Sequence, residues 1–178
     1  MRTLSLSGNT SSLRTAFTTM VAGAALMGMA LTAAVADQPD TSIILKNPGS
    51  LKWEKTIPEL GDRSPEYAIL HSDPNTKLTT LMFRTPIPVH IPAHTHDLAE
   101  THVILVGGTH TFDSKGVRYN IENGGFFRAP GGVVHEAWLP AGSQTLNILE
   151  SGWAVNWLRE GPTVADADKY PPKEPQGN

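Results

Sequence analysis

The chain has 178 residues, no cysteine, and 14 basic against 17 acidic side chains, for a net charge of −3. Without thiols there is no disulfide framework and no thiolate metal site, so any metal must be held by nitrogen and oxygen. An acidic balance without a Lys/Arg cluster argues against nucleic acid and against an anionic membrane surface as partners.

The charges are unevenly placed. Residues 1–36 contain no Asp or Glu and only Arg2 and Arg14, both upstream of an uncharged run of small and apolar residues over 16–36. That run ends in Ala34-Val35-Ala36, ahead of Asp37. A basic start, an apolar middle and a small-x-small site spell a secretory signal cleaved after Ala36. The rival is an uncleaved anchor, since about 20 apolar residues span a bilayer; Ala, Gly and Thr make this run only weakly hydrophobic. There is no cysteine for a lipoprotein and no arginine pair for the twin-arginine route, which leaves general secretion to a periplasm or the exterior. Cleavage removes two basic and no acidic residues, leaving −5 on residues 37–178. That length suits one domain able to fold without staples.

Residues 37–50 read as a polar lead-in with one β-like patch at 42–45. From Leu51 short apolar or alternating runs are separated by turn signals, the pattern of an all-β barrel or sandwich. Residues 67–71 precede the turn Asp73-Pro74-Asn75, and 78–83 (LTTLMF) suit a strand. Pro86, Pro88 and Pro92 interrupt pairing and place His90 in an irregular or edge segment. Residues 101–106 form a buried strand ending at Gly107-Gly108. Strands at 109–112 and 117–121 flank a hairpin turn at Asp113-Ser114-Lys115-Gly116. Residues 126–129 lead to the turn Pro130-Gly131-Gly132; 133–138, 145–149 and 153–158 complete the strands. No window of the mature chain has a helical period. The barrel is expected over 51–160, and 161–178 is too poor in apolar residues to order itself.

Six of the seven histidines lie between positions 90 and 135. In an extended segment residues two apart share a face, so His94 and His96 can grip one ion. Glu100 follows after a short loop, and His135 comes after a turn that returns a strand across the same end. Three imidazoles and a carboxylate suit one divalent transition metal ion: Fe, Mn, Zn, Cu or Ni.

The run His94-Thr95-His96-(x3)-Glu100-(x6)-Gly107 resembles the first cupin motif, and Gly124-(x5)-Pro130-x-Gly132-(x2)-His135 resembles the second. The similarity extends over about 51–158 and is greatest to small single-barrel cupins of the acetylacetone-dioxygenase and anti-sigma-factor types. It implies an all-β, single-domain cupin jelly-roll β-barrel. It also implies a metal at His94, His96, Glu100 and His135. Two positions depart from the family pattern: Pro88 replaces a usual glycine, and Leu139 a frequent asparagine.

His102 shares the parity of Glu100 and is expected to face the ion as a general base, a donor behind the ligands, a spare ligand, or a hydrogen-bonded core residue. Arg128 is a candidate wall anchor for an anionic substrate, with a solvent-facing position as the alternative. His90 and His110 read as rim or surface residues, and His71 as a local one before its turn. Phe126, Phe127, Trp138, Trp153 and Trp157 are expected in the core, with one or two lining a pocket. Together these features suggest an exported metal-dependent enzyme, a dioxygenase or a lyase/isomerase, with a small-molecule substrate. The alternative is a non-catalytic metal- or ligand-binding module. A homodimer is compatible with either.

Overall fold

The computed structural model describes residues 42–173. The signal segment 1–36, the start of the lead-in and the last five residues lie outside them. Eleven strands account for nearly all regular structure: β1 (Glu54–Lys55), β2 (Glu66–Ser72), β3 (Thr79–Thr85), β4 (Val89–Thr95), β5 (Glu100–Val106), β6 (His110–Ser114), β7 (Val117–Ile121), β8 (Phe126–Ala129), β9 (His135–Leu139), β10 (Ser143–Leu149) and β11 (Asn156–Trp157). They form a six-stranded sheet, β1-β2-β3-β10-β5-β8, facing a five-stranded sheet, β11-β4-β9-β6-β7. All ladders are antiparallel, and neighbours distant in sequence such as β3 and β10 pair, the wrapping expected of a jelly roll.

Period-two burial sets which side chains point inward. On β3, Thr79, Leu81, Phe83 and Thr85 are buried; on β10, Ser143, Thr145, Asn147 and Leu149 are. Leu81, Phe83, Val89, Phe112, Ala137, Leu139 and Leu149 from both sheets meet in one core, joined by Ile57. The β6–β7 hairpin closes through Lys115 and Gly116, both at positive φ (52° and 77°), the backbone of a two-residue I′ turn.

Three expectations need correcting. The patch at 42–45 forms no strand: none of the described strands pairs with it, and Ile43 and Leu45 are exposed. Of the two readings for His90, irregular or edge, the first fails: it is in β4, paired with Trp138 on β9, while the outer strand β11 reaches β4 only at His94 and Thr95. Pro92 is accommodated by a register shift between Ile91 and His94, where no ladder bond is required of it. Residues 161–173 do not lack structure. Thr163 caps a 3₁₀ turn, Val164–Asp166, and Asp166, 4% exposed, takes hydrogen bonds from Arg159 Nη2 (2.9 Å) and Thr163 N (2.9 Å) and lies 3.2 Å from His90 Nδ1. Asp168 N donates to Pro88 O at 2.8 Å. Polar pairing onto the sheet orders this segment, and a criterion based on apolar content misses that.

The motif glycines have separate reasons. Gly107 (φ 114°) turns so tightly against β10 that a Cβ would collide with the Ser143 backbone, whereas Gly124 (φ 81°) has open space around it. Gly107→Ala should therefore cost about 2–4 kcal/mol through strain plus overpacking, and Gly124→Ala only about 1 kcal/mol. Urea unfolding of both variants checks this; equal losses would remove the steric account of Gly107.

Candidate metal centre

Four side chains converge at one end of the barrel. His94 ends the part of β4 that pairs with β9, opposite His135 at the start of that strand. His96 lies one residue past β4, where Gly132 N donates to its carbonyl at 2.8 Å. Gly131 makes this approach feasible, since a Cβ there would meet Asp97 O at 2.5 Å. Glu100 opens β5 on the facing sheet. One donor atom from each of His94, His96, Glu100 and His135 lies within 4.8 Å of all the others, and all four residues are 3–5% exposed.

The hydrogen bonds behind the rings decide their protonation. His94 Nδ1 lies 2.7 Å from Pro92 O, His96 Nδ1 2.9 Å from Ala154 O, and His135 Nδ1 3.0 Å from Val133 O. A carbonyl oxygen only accepts, so each Nδ1 holds the proton and donates it, and each Nε2 turns a lone pair toward the others. His96 Nε2 lies 3.0 Å from Glu100 Oε2, and His135 Nε2 abuts Glu100 Oε1. Neither Glu100 Oε1 nor His135 Nε2 has a properly directed hydrogen bond among the described residues. Three lone pairs and a carboxylate buried around one point require a cation between them.

The titration behaviour agrees. Burial alone would raise the Glu100 carboxyl, but His102, His135 and His96 around it outweigh burial and hold it well below the ordinary range. Burial, with His135 beside it, pushes His94 down to about 4. Burial would also lower His135, but the Glu100 carboxylate prevails and raises it. Without a metal, the Glu100 carboxylate therefore favours the protonated form of His135, a positive charge of the kind a bound cation would supply. The residues fit such an ion, and the donor set of three imidazoles and one carboxylate suits Fe, Mn, Zn, Cu or Ni without choosing among them.

His102 is inward-facing as expected and lines a cavity of about 70 Å³ that also reaches His94 and His96. Its Nε2 lies 3.2 Å from Glu100 Oε2, close enough for an ion pair, but neither ring nitrogen has a directed hydrogen bond among the described residues. It stands outside the four-donor group, its ring edge-on to Phe112 and Phe127. Arg128 is not brought to the site. Its β8 neighbour Phe127 points inward opposite His102, so Arg128 faces out and pairs with Glu150 at 2.8 Å. His110 is a second correction: it is 0% exposed, because it shares the inward parity of Phe112. Burial pushes it down to about 4, with His102 adding to the shift. His90 lies between Glu136 Oε2 (Nε2, 2.7 Å) and Asp166, stacked on Trp138. His71 lies on β2 and takes no part in the donor group. Of the large aromatics, Trp153 and Trp157 line the cavity, Trp138 is buried, and Phe126 is 63% exposed.

No family model and no curated protein matches the sequence. Solved structures do match. An RmlC-like cupin from Shewanella frigidimarina aligns over 63% of this chain and 94% of its own, with a TM-score of 0.53 at 17% identity. The chain has the cupin fold. Two further cupin-fold likenesses are the acetylacetone dioxygenase of Acinetobacter johnsonii (TM-score 0.52, 15% identity, 65% of this chain and 77% of that one) and the DMSP lyase DddQ of Ruegeria pomeroyi (TM-score 0.51, 15% identity, 62% of each chain). The resemblance carried by the two motifs therefore holds at the level of fold, with the cupin motif residues gathered at one end of the barrel.

Metal retention should weaken as the pH falls from about 8 to about 5, because imidazole binds only when neutral. Beside the Glu100 carboxylate His135 takes up a proton more readily than His94, which resists protonation to about 4. His94→Ala combined with His96→Ala should abolish stoichiometric binding, while His71→Ala leaves it intact. Elemental analysis after dialysis at each pH checks this; a double variant that keeps its metal would displace the site.

Proposed function

We propose that this chain is an exported, metal-dependent enzyme acting on a small oxygenated organic compound by dioxygenase or by lyase/isomerase chemistry. One observation carries the reading: four buried donors converge on a point that opens into a cavity with partnerless polar groups in its wall. Export rests on the signal pattern of residues 1–36, and the fold likeness to a dioxygenase and a lyase supports both reaction classes.

A divalent ion held by four protein ligands has open positions and would supply Lewis-acid or redox activation of a bound oxygen. The chain's own contributions can be stated separately. The carbonyls of Pro92, Ala154 and Val133 fix the three imidazoles in the lone-pair-forward tautomer. Phe83, Ile91, Trp153 and Trp157 give the cavity an apolar wall. His102 has one ring nitrogen beside the Glu100 carboxylate and no directed hydrogen bond at either, which places it to take or give a proton at a bound molecule.

A non-catalytic binding module is the second reading, favoured by the narrowness of the cavity. The position of His102 outside the donor group weighs against it, since a fifth protein ligand would help to close such a site. His102→Gln separates the two. For an enzyme, the variant should keep its metal and its melting temperature but lose turnover by about 100-fold or more in oxygen-uptake and substrate-consumption screens. Loss of metal with no turnover in the parent would support the module; a change in stability alone would make His102 a core residue.

A further inference from the structure

β10 turns its polar face the unexpected way. Along Thr145-Leu146-Asn147-Ile148-Leu149, burial alternates so that Thr145, Asn147 and Leu149 point into the barrel, while Leu146 and Ile148 face out. A strand laid down only for stability would reverse that choice. Thr145 is 2% and Asn147 5% exposed, and both line the cavity that reaches His94 and His96. Neither Thr145 Oγ1 nor Asn147 Oδ1 has a hydrogen-bond partner among the described residues. A buried polar atom without a partner is costly, and a persistent one points to a ligand or water that completes it.

The register places this stripe relative to the metal donors. Asn147 is the direct cross-strand partner of His102, and Thr145 of Ile104, while Glu100 pairs with Leu149. Asn147 is thus the diagonal neighbour of Glu100, with their Cβ atoms about 7–8 Å apart. A molecule bound to the ion through one oxygen can reach Asn147 with a second polar group a few bonds away. Most of the remaining wall is apolar, with Phe83, Ile91, Phe112, Leu139 and the two tryptophans; besides the histidines its other polar member is Thr56, whose Oγ1 also has no hydrogen-bond partner among the described residues.

Charge limits the far end of the ligand. Three neutral imidazoles and one carboxylate leave a divalent ion with one positive charge to balance, which suits a single anionic oxygen. No lysine or arginine is among the described residues lining the cavity; Arg128 is outside, on Glu150, and His102 already faces the Glu100 carboxylate. A second anionic group would have no cation to meet. Size limits it further, since about 70 Å³ holds roughly five to seven water-sized spheres.

We infer that the cavity selects a small aliphatic monoanion, its anionic oxygen on the metal and a neutral hydroxyl or carbonyl read by Asn147 and Thr145. This deepens the metal-dependent reading and rests on it. The test is the full chain loaded with Co²⁺, its visible absorption titrated with three probes: 3-hydroxypropionate, butyrate and succinate. Butyrate has a methyl group where 3-hydroxypropionate has a hydroxyl. The hydroxy acid should bind about tenfold more tightly than butyrate, and succinate at least about tenfold more weakly than the hydroxy acid. In Asn147→Leu the hydroxyl preference should vanish with Co²⁺ content unchanged; Thr145→Val should reduce it and serves if the first variant does not fold. Equal affinities for the isosteric pair would overturn the inference. So would a preference that survives both substitutions, because the metal would then be reading the hydroxyl, or succinate binding as tightly as the hydroxy acid. Failure to take up Co²⁺ would instead defeat the metal-dependent reading itself.

Discussion

Three imidazole lone pairs and one carboxylate, all buried, point at a common centre with no cation of the protein's own between them. The backbone enforces this arrangement, because each Nδ1 is committed to a carbonyl on its own or a neighbouring segment. Such a cluster is destabilising until a positive charge enters it. Without a metal, protonation of His135, favoured by the Glu100 carboxylate, would partly relieve it. A divalent ion relieves it fully, and because Glu100 comes from one sheet and His94 and His135 from the other, the same ion would tie the two sheets together at that end.

Other features of the fold follow from keeping those donors in place. Gly131 lets the 130–134 turn lie against Asp97 and Leu98, which sets His135 beside His96. The register shift in β4 absorbs Pro92 and returns His94 to the ladder opposite His135. The inward polar face of β10 then has a reason that stability alone does not supply: it lines the cavity next to the donors and gives a bound molecule something to meet besides hydrocarbon.

Much of the donor set was legible because it depends on local rules. Period two aligns His94 with His96, and the motif glycines mark turns that return Glu100 and His135 to the same end. Most strands between 66 and 149 were legible for the same reason, alternation between turn signals; β4 was not, because its prolines read as breaks in pairing. What the sequence concealed depends on register. Arg128 and Phe127 are adjacent, and only the pairing of Phe127 with His102 shows that the arginine must face solvent. His110 appears to be a polar surface residue until the β6 ladder shares its parity with Phe112. Thr145 and Asn147 were hidden because alternation identifies two faces without saying which is inward, and the apolar face is the default choice. The 161–173 segment escaped because its order comes from ion pairs and hydrogen bonds to the sheet, not from hydrophobic content.

The central claim is that these four side chains, with three imidazoles bound through Nε2, form the inner shell of a single metal ion. X-ray absorption fine structure on the metal-loaded chain tests it most directly, because ordered imidazoles give outer-shell scattering that can be counted. The account predicts one mononuclear site whose fit requires three imidazoles and oxygen ligands, with one imidazole fewer in His135→Ala. A shell with no imidazole scattering, or one unchanged by that substitution, would contradict it.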